Sequence, residues 1–234
     1  MNRVDVIANV TAANVDIYAQ HGHRHSSYVG NTWIADGSRT SSRVPEPPYK
    51  IIGHVGHLAR TGTAYGLRFL LKEVLPHLSG LFGGKSYQVH IIGAGEAPLS
   101  LRPLLQQPSV VLRGFVKDLD AEFAGADAFC MFNNVGSYIA AYTRHIIAWS
   151  QSLCLVAHAR STLAIPEIVH GENALIGSTG REVAELIVRA VTDPDLNRRI
   201  REGGRRTYER FFTPQRIAEK LSGELMRAAG MTRS

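Results

Sequence analysis

Ala128-Phe129-Cys130-Met131-Phe132, a loop through Gly136, then Ala140-Ala141-Tyr142-Thr143-Arg144-His145-Ile146-Ile147-Ala148-Trp149 and Leu153-Cys154-Leu155-Val156-Ala157 decide the fold. The first and last runs are short, apolar and β-like, while Ile139, Tyr142, Ile146 and Trp149 between them recur at helical spacing. Strand, helix, strand in that order implies a parallel pair joined by a right-handed crossover. Such a crossover brings the start of its helix to the carboxyl edge of the sheet, where free N–H groups and the positive end of the helix dipole attract anions. Arg144 adds a fixed positive charge there, so the spacing predicts a phosphate site near Ala140, Ala141 and Arg144.

Outward from this unit, strand and helix signals alternate. Ile51 to Val55 reads as a strand, and Leu67, Leu70, Leu71, Val74 and Leu78 mark a helix face closing near Gly80. Tyr87 to Ile92 and Val110 to Leu112 are further strands, a short helix runs from Leu119 to Gly125, and Asn173 to Ile176 is the last strand. Val183, Leu186, Ile187 and Val191 mark a helix that breaks at Asp193-Pro194. Together these signals predict an α/β fold, a doubly wound parallel Rossmann-like sheet covered on both faces. At the end, Thr213 caps a helix, Pro214 takes its first position, and Ile217, Leu221 and Leu225 form an apolar stripe that needs a surface to cover.

Before Tyr49 the pattern changes. Val4 to Val10 is an apolar run, a helix-like stretch follows to Gln20, and Asp36 to Pro48 is rich in Ser, Arg and Pro and reads as a linker. The expected organisation is residues 1–36 as a leading unit, 37–48 as linker, 49–212 as the main domain and 213–234 as a terminal helix. The 234 residues, 44% of them hydrophobic, suffice for a full core. No apolar run approaches the roughly 20 residues that span a bilayer, and Met1 to Asp5 has no secretory core, so a cytoplasmic protein is expected. Cys130 and Cys154 both fall in apolar strands, as reduced structural thiols do. The formal charge of +6 favours anionic partners, while the lack of a stacking motif or basic tail argues against nucleic acid.

Several motifs admit two readings. Gly93-Ala94-Gly95 follows a strand, but Pro98 stands at the third glycine position, so a strand-end turn is preferred to a dinucleotide fingerprint. The alternating His21, His23 and His25 lack a carboxylate or cysteine set, and a solvated loop is preferred to a metal site. Arg198, Arg199, Arg201, Arg205, Arg206 and Arg210 read as a solvated helix face, with a membrane or domain interface as the alternative. Gly56-His57-Leu58-Ala59-Arg60 closes a strand at the edge that also holds Arg144, and either contacts phosphate or is a solvated loop.

From Ile52 to Phe212 the chain resembles the donor-binding half of GT-B glycosyltransferases of the retaining family-four type. The resemblance runs in order through Val55-Gly56-His57-Leu58, Gly66 to Pro76, Val89 to Gly95, Val111 to Leu119, Arg144 to Ala157 and Ile165 to Leu175. It implies a six-stranded domain for a nucleotide-diphosphate sugar, with no cofactor and no metal. Gly56, His57, Arg60, Ala140, Ala141 and Arg144 would hold the diphosphate, and the backbone at Val116 the base. The final helix would cross back to the leading unit. Relatives often carry two glutamates where Ile139 and Ile147 stand here, one near the sugar and one on the ribose; either donor affinity is weak, or polar residues such as Ser137, Thr143 and Arg144 substitute. His57 occupies the place of a stronger cation and is a weaker, pH-dependent phosphate partner. Only the last strand, helix and strand of an acceptor domain are recognisable in Met1 to Asp36, which implies a truncated enzyme, a subunit completed by a separate acceptor-domain partner, or a non-catalytic binding module. A GT-B-type epimerase shares the fold and would also need the other half.

Overall fold

The computed structural model describes residues 6–23, 25–34, 44–132 and 143–230. Strands β1 (Ile7–Asn9) and β2 (Ser26–Tyr28) form a parallel pair joined by helix α1 (Ala13–Gln20). A second, six-stranded sheet is built from β3 (Tyr49–Val55), β4 (Tyr87–Ile92), β5 (Val110–Gly114), β6 (Ala128–Met131), β7 (Leu155–His158) and β8 (Leu175–Gly177). Every neighbouring pair is parallel, and the order is β5-β4-β3-β6-β7-β8. The order reverses between β3 and β6, which makes the carboxyl ends of those two strands the walls of a crevice.

Helices cover both faces. On one, α2 (Thr61–Phe69), a π segment Leu70–Val74 and α3 (Leu75–Phe82) pack beside α7 (Gly180–Thr192). Leu67, Leu70, Leu78, Val183 and Ile187 there meet Ile51 and Val89 of the sheet. On the other, α6 (Thr143–Ser150) and α8 (Pro194–Phe211) bring Ile146, Trp149, Tyr208 and Phe212 against Ile52, Phe129 and Leu155. Short helices α4 (Arg102–Leu105) and α5 (Leu119–Phe123) flank β5, and α9 (Pro214–Ala228) ends the fold. A parallel sheet needs this double cover because its strands are apolar on both sides. Cys130 and Cys154 are buried and unbonded to each other, and burial raises both thiols above their ordinary range.

Three sequence expectations are revised. The helix does not close near Gly80: it runs to Phe82 and ends at Gly83, whose φ of +57° is the left-handed conformation that stops helices. Gly80 faces open space and so does not interrupt it. Arg201 and Arg205 are not part of a solvated face. Arg201 is buried with Nε donating to Ser152 O, and Arg205 donates to Ser150 O, so both satisfy carbonyls exposed where α6 ends. The stripe on α9 is covered only at its start: Ile217 packs beside Gly30 and the core, and Lys220 lies over the Tyr28 ring, whereas Leu221 and Leu225 remain exposed. Among the described residues no helix is long and apolar enough to cross a membrane.

Candidate functional site

The turn after β3 is fixed by backbone before any side chain enters. Gly56 N–H donates to Ile92 O at 2.9 Å, Leu58 N–H to Ala94 O at 3.0 Å, and Gly93 N–H to Gly114 O at 2.8 Å, which ties the ends of β3, β4 and β5 together. Gly56 has a φ of +143°, and a Cβ on Gly93 would stand 1.8 Å from Gly56 O. Both positions therefore require glycine, which accounts for the Gly93-Ala94-Gly95 turn without a dinucleotide.

His57 lies half-buried against Gly95, where an added Cβ would come within 2.4 Å of the imidazole. Its Nδ1 accepts the Ala59 N–H at 3.2 Å, so a neutral ring carries its proton on Nε2. Arg60 is exposed at the N-cap of α2, and no side chain caps that helix. Thr63 Oγ1 sits against the carbonyls of His57 and Arg60, 3.1 Å from the latter, and braces the turn from inside the first helical turn.

Arg144 reaches across the crevice. Its Nη1 donates to Val55 O at 2.6 Å and stands 3.3 Å from where a Gly56 Cβ would be. Gly56, His57, Arg60 and Arg144 are thus brought to one edge, at the reversal of strand order. Val116 follows β5 on the same edge; its side chain packs against the core, and its N–H and C=O make no hydrogen bond among the described residues. Ala140, Ala141, Ile139 and Ser137 lie outside the described residues.

Other candidates take different roles. Ile147 is buried in the cluster of Val55, Ile92 and Met131, so this position offers the crevice no polar group. Thr143 Oγ1 accepts from Asn31 Nδ2 at 2.6 Å. Among the described residues no cluster of His, Cys, Asp or Glu could hold a metal ion. A groove of about 640 Å3 lies between the segment leading into β8 and helix α8, lined by Glu172, Arg199, Arg206, Arg210 and Phe211 among others, away from the carboxyl ends.

Sequence reasoning missed His54. It is 4% exposed on β3, with Nε2 3.2 Å from Gly56 O, and burial, followed by the charge of Arg144, pushes its pKa down to about 3. A lone histidine in the apolar run Ile51 to Val55 was the available signal.

The family model for Glycosyl transferases group 1 matches residues 49–193, well over half of the chain, and the chain belongs to that family. Among solved structures it is similar to HepE of Anabaena in complex with UDP and glucose, at TM-score 0.69 and 14% identity over 95% of this chain and 63% of that one. It is similar also to a mutant of S. aureus TarM in complex with fondaparinux, alpha-GlcNAc-glycerol and UDP, at TM-score 0.76 and 15% identity over 95% of this chain and 44% of that one. Sucrose-phosphate synthase of Thermosynechococcus elongatus matches at TM-score 0.69 and 14% identity over 98% and 60%. At these identities the likeness is one of fold, and the larger sheet with its helices is one half of a GT-B fold. The chain spans between 44 and 63% of the length of these structures. No curated protein sequence matches it.

Proposed function

We propose that this chain is the donor-binding half of a glycosyltransferase that transfers a sugar from a nucleotide-diphosphate donor to an acceptor. The observation that carries the reading is Arg144 set on Val55 O beside Gly56, which brings a guanidinium from α6 across the β3–β6 crevice onto the strand-end turn. The diphosphate would lie against the guanidinium and the turn together, with Arg60, the His57 Nε2–H and the uncapped start of α2 as further donors, and Ala140 and Ala141 supplying backbone N–H groups. The base would meet the backbone at Val116. Charge on the leaving diphosphate would be neutralised by these groups rather than by a metal or cofactor. HepE and TarM, which share the fold, were solved with UDP, and this supports the donor class.

The acceptor would be positioned by a further domain, on this polypeptide or on a separate partner, of which β1, α1 and β2 are the adjoining part; excluding water and orienting the acceptor are its contribution to the rate. Domain bounds of 1–36, 37–48, 49–212 and 213–234 fit this reading. A cytoplasmic location also fits, since buried thiols such as Cys130 and Cys154 stay reduced there.

Ile147 favours a second reading, a non-catalytic binding subunit. Packed among Val55, Ile92 and Met131, it cannot accept from a ribose hydroxyl, and a hydroxyl buried without a partner costs about 1 to 3 kcal/mol.

Calorimetric titration with UDP, GDP and their sugar conjugates tests both. Micromolar to millimolar binding that Arg144→Ala weakens by about tenfold or more supports the donor site, since a hydrogen bond to a charged group contributes about 1.5–3 kcal/mol. No binding of any nucleotide sinks it. Donor hydrolysis or transfer by the chain removes the non-catalytic alternative.

A further inference from the structure

We propose that His54 is a positioning residue for this site, one that aims the His57 N–H into the crevice by holding the Gly56 carbonyl; the proposal rests on the diphosphate reading above. A histidine 4% exposed in an interior parallel strand is out of place unless its ring makes a specific bond. Here Nε2 lies 3.2 Å from Gly56 O. A carbonyl only accepts, so Nε2 carries the hydrogen and donates it. Burial and the nearby Arg144 guanidinium keep the ring neutral, and the bond to Gly56 O selects the tautomer.

The strand is built to deliver this contact. The register of β3 on β4 shifts between Ile52 and His54, and Ile52 and Val55 then lie in the same apolar cluster, so strict alternation is broken at a bulge. Bulges re-aim the side chains that follow them. His54 consequently reaches the end of its own strand.

Two successive carbonyls of the turn are thereby tied by side chains from different elements. Val55 O receives Arg144 from α6, and Gly56 O receives His54 from β3 while lying against Gly93. A trans peptide is planar, and its C=O and N–H point in opposite directions. Tying Val55 O toward α6 sends the Gly56 N–H toward β4, where it finds Ile92 O at 2.9 Å. By the same geometry, tying Gly56 O inward sends the His57 N–H outward, and that N–H has no partner among the described residues. Glycine at 56 makes this peptide easy to rotate, so an external restraint is needed to keep it in one orientation. His54 supplies that restraint without touching the ligand.

The test compares the unmodified chain with His54→Phe, which fills the space without a donor, and His54→Gln, whose amide nitrogen falls near the position of the histidine Nε2. UDP binding is measured by calorimetry and uridine binding by ligand-observed NMR. Losing one well-aimed donor to a phosphate predicts about tenfold weaker UDP binding for His54→Phe, unchanged uridine binding, and recovery to within about threefold in His54→Gln. If His54→Phe does not fold, His54→Asn, whose amide is too short to reach Gly56, replaces it with the same expectation. Equal UDP binding by the unmodified chain and the donorless variant overturns the role of His54 alone, as does a parallel loss of UDP and uridine or a failure of His54→Gln to recover. An unmodified chain that binds no nucleotide overturns instead the functional reading beneath it.

Discussion

At the scale of single residues, the chain's buried histidines tie its stability to pH. Burial lowers His54, His90 and His158 below their ordinary 6.5, His54 to about 3, with Arg144 adding to the first and Lys50 to the second. Each holds its proton less tightly in the folded chain than in the unfolded chain, which takes one up below about 6.5, so their contribution is complete above that pH and is lost as pH falls. For His54 the loss continues to about 3, at about 1.4 kcal/mol per pH unit. Thermal melts between pH 7 and 4 should therefore show a falling midpoint, and His54→Phe should flatten that fall. An equal slope in both proteins would show that His54 is protonated in the fold. Little of this was legible in the sequence: a lone histidine in an apolar run marks the position, but where its ring reaches depends on a bulge, and its titration partly on Arg144, 90 positions away. Ile146 and Trp149 were legible, because apolar residues recurring at helical spacing can be placed on the inner face of a helix from periodicity alone, and both are buried.

At the scale of elements, most identities followed from pattern and most boundaries did not. The strand Tyr87–Ile92 and the break at Asp193-Pro194 fall where apolar runs and proline put them. The end of α3 fell elsewhere because the sequence offers glycines at 80, 83 and 84, and only the fold decides which adopts a left-handed conformation. The arginines of α8 were misread in two cases for a related reason: whether a guanidinium is solvated depends on the carbonyls of Ser150 and Ser152, which belong to another element. Helix α7 gives a prediction at this scale. Thr179 Oγ1 accepts from the Glu182 N–H while the Glu182 carboxylate accepts from Ser178 and Thr179 N–H, and these bonds hold Glu182 below the usual carboxylate range. Thr179→Ala should lower stability by about 1 kcal/mol, measured as a shift in urea midpoint with the slope unchanged. A loss well below that would mean the start of α7 is held by its packing against the π segment rather than by its cap.

At the scale of the whole molecule, the leading unit is joined to the larger sheet along one continuous seam. Ala12 N–H donates to Ala164 O at 2.9 Å, Tyr28 Oη to Glu167 at 3.1 Å, Thr32 Oγ1 to Phe212 O at 2.6 Å and Tyr208 Oη to Trp33 O at 2.7 Å. Tyr208→Phe should cost about 1 kcal/mol and speed amide hydrogen exchange in β1 and β2 while leaving β6 protected. Exchange rising equally in β6 would show that the seam and the sheet open as one unit. The strand order has a further consequence, for the order in which the chain can mature. β3 is made first of the six strands, pairs at once with β4, and must then wait for β6; the bond between Val55 and Arg144 closes a separation of 89 residues. Such distant pairings form slowly. On a growing chain the turn at Gly56 exists long before its guanidinium arrives. A nucleotide held as proposed, by the turn and the guanidinium together, would therefore recognise only a chain in which α6 has docked beside β3.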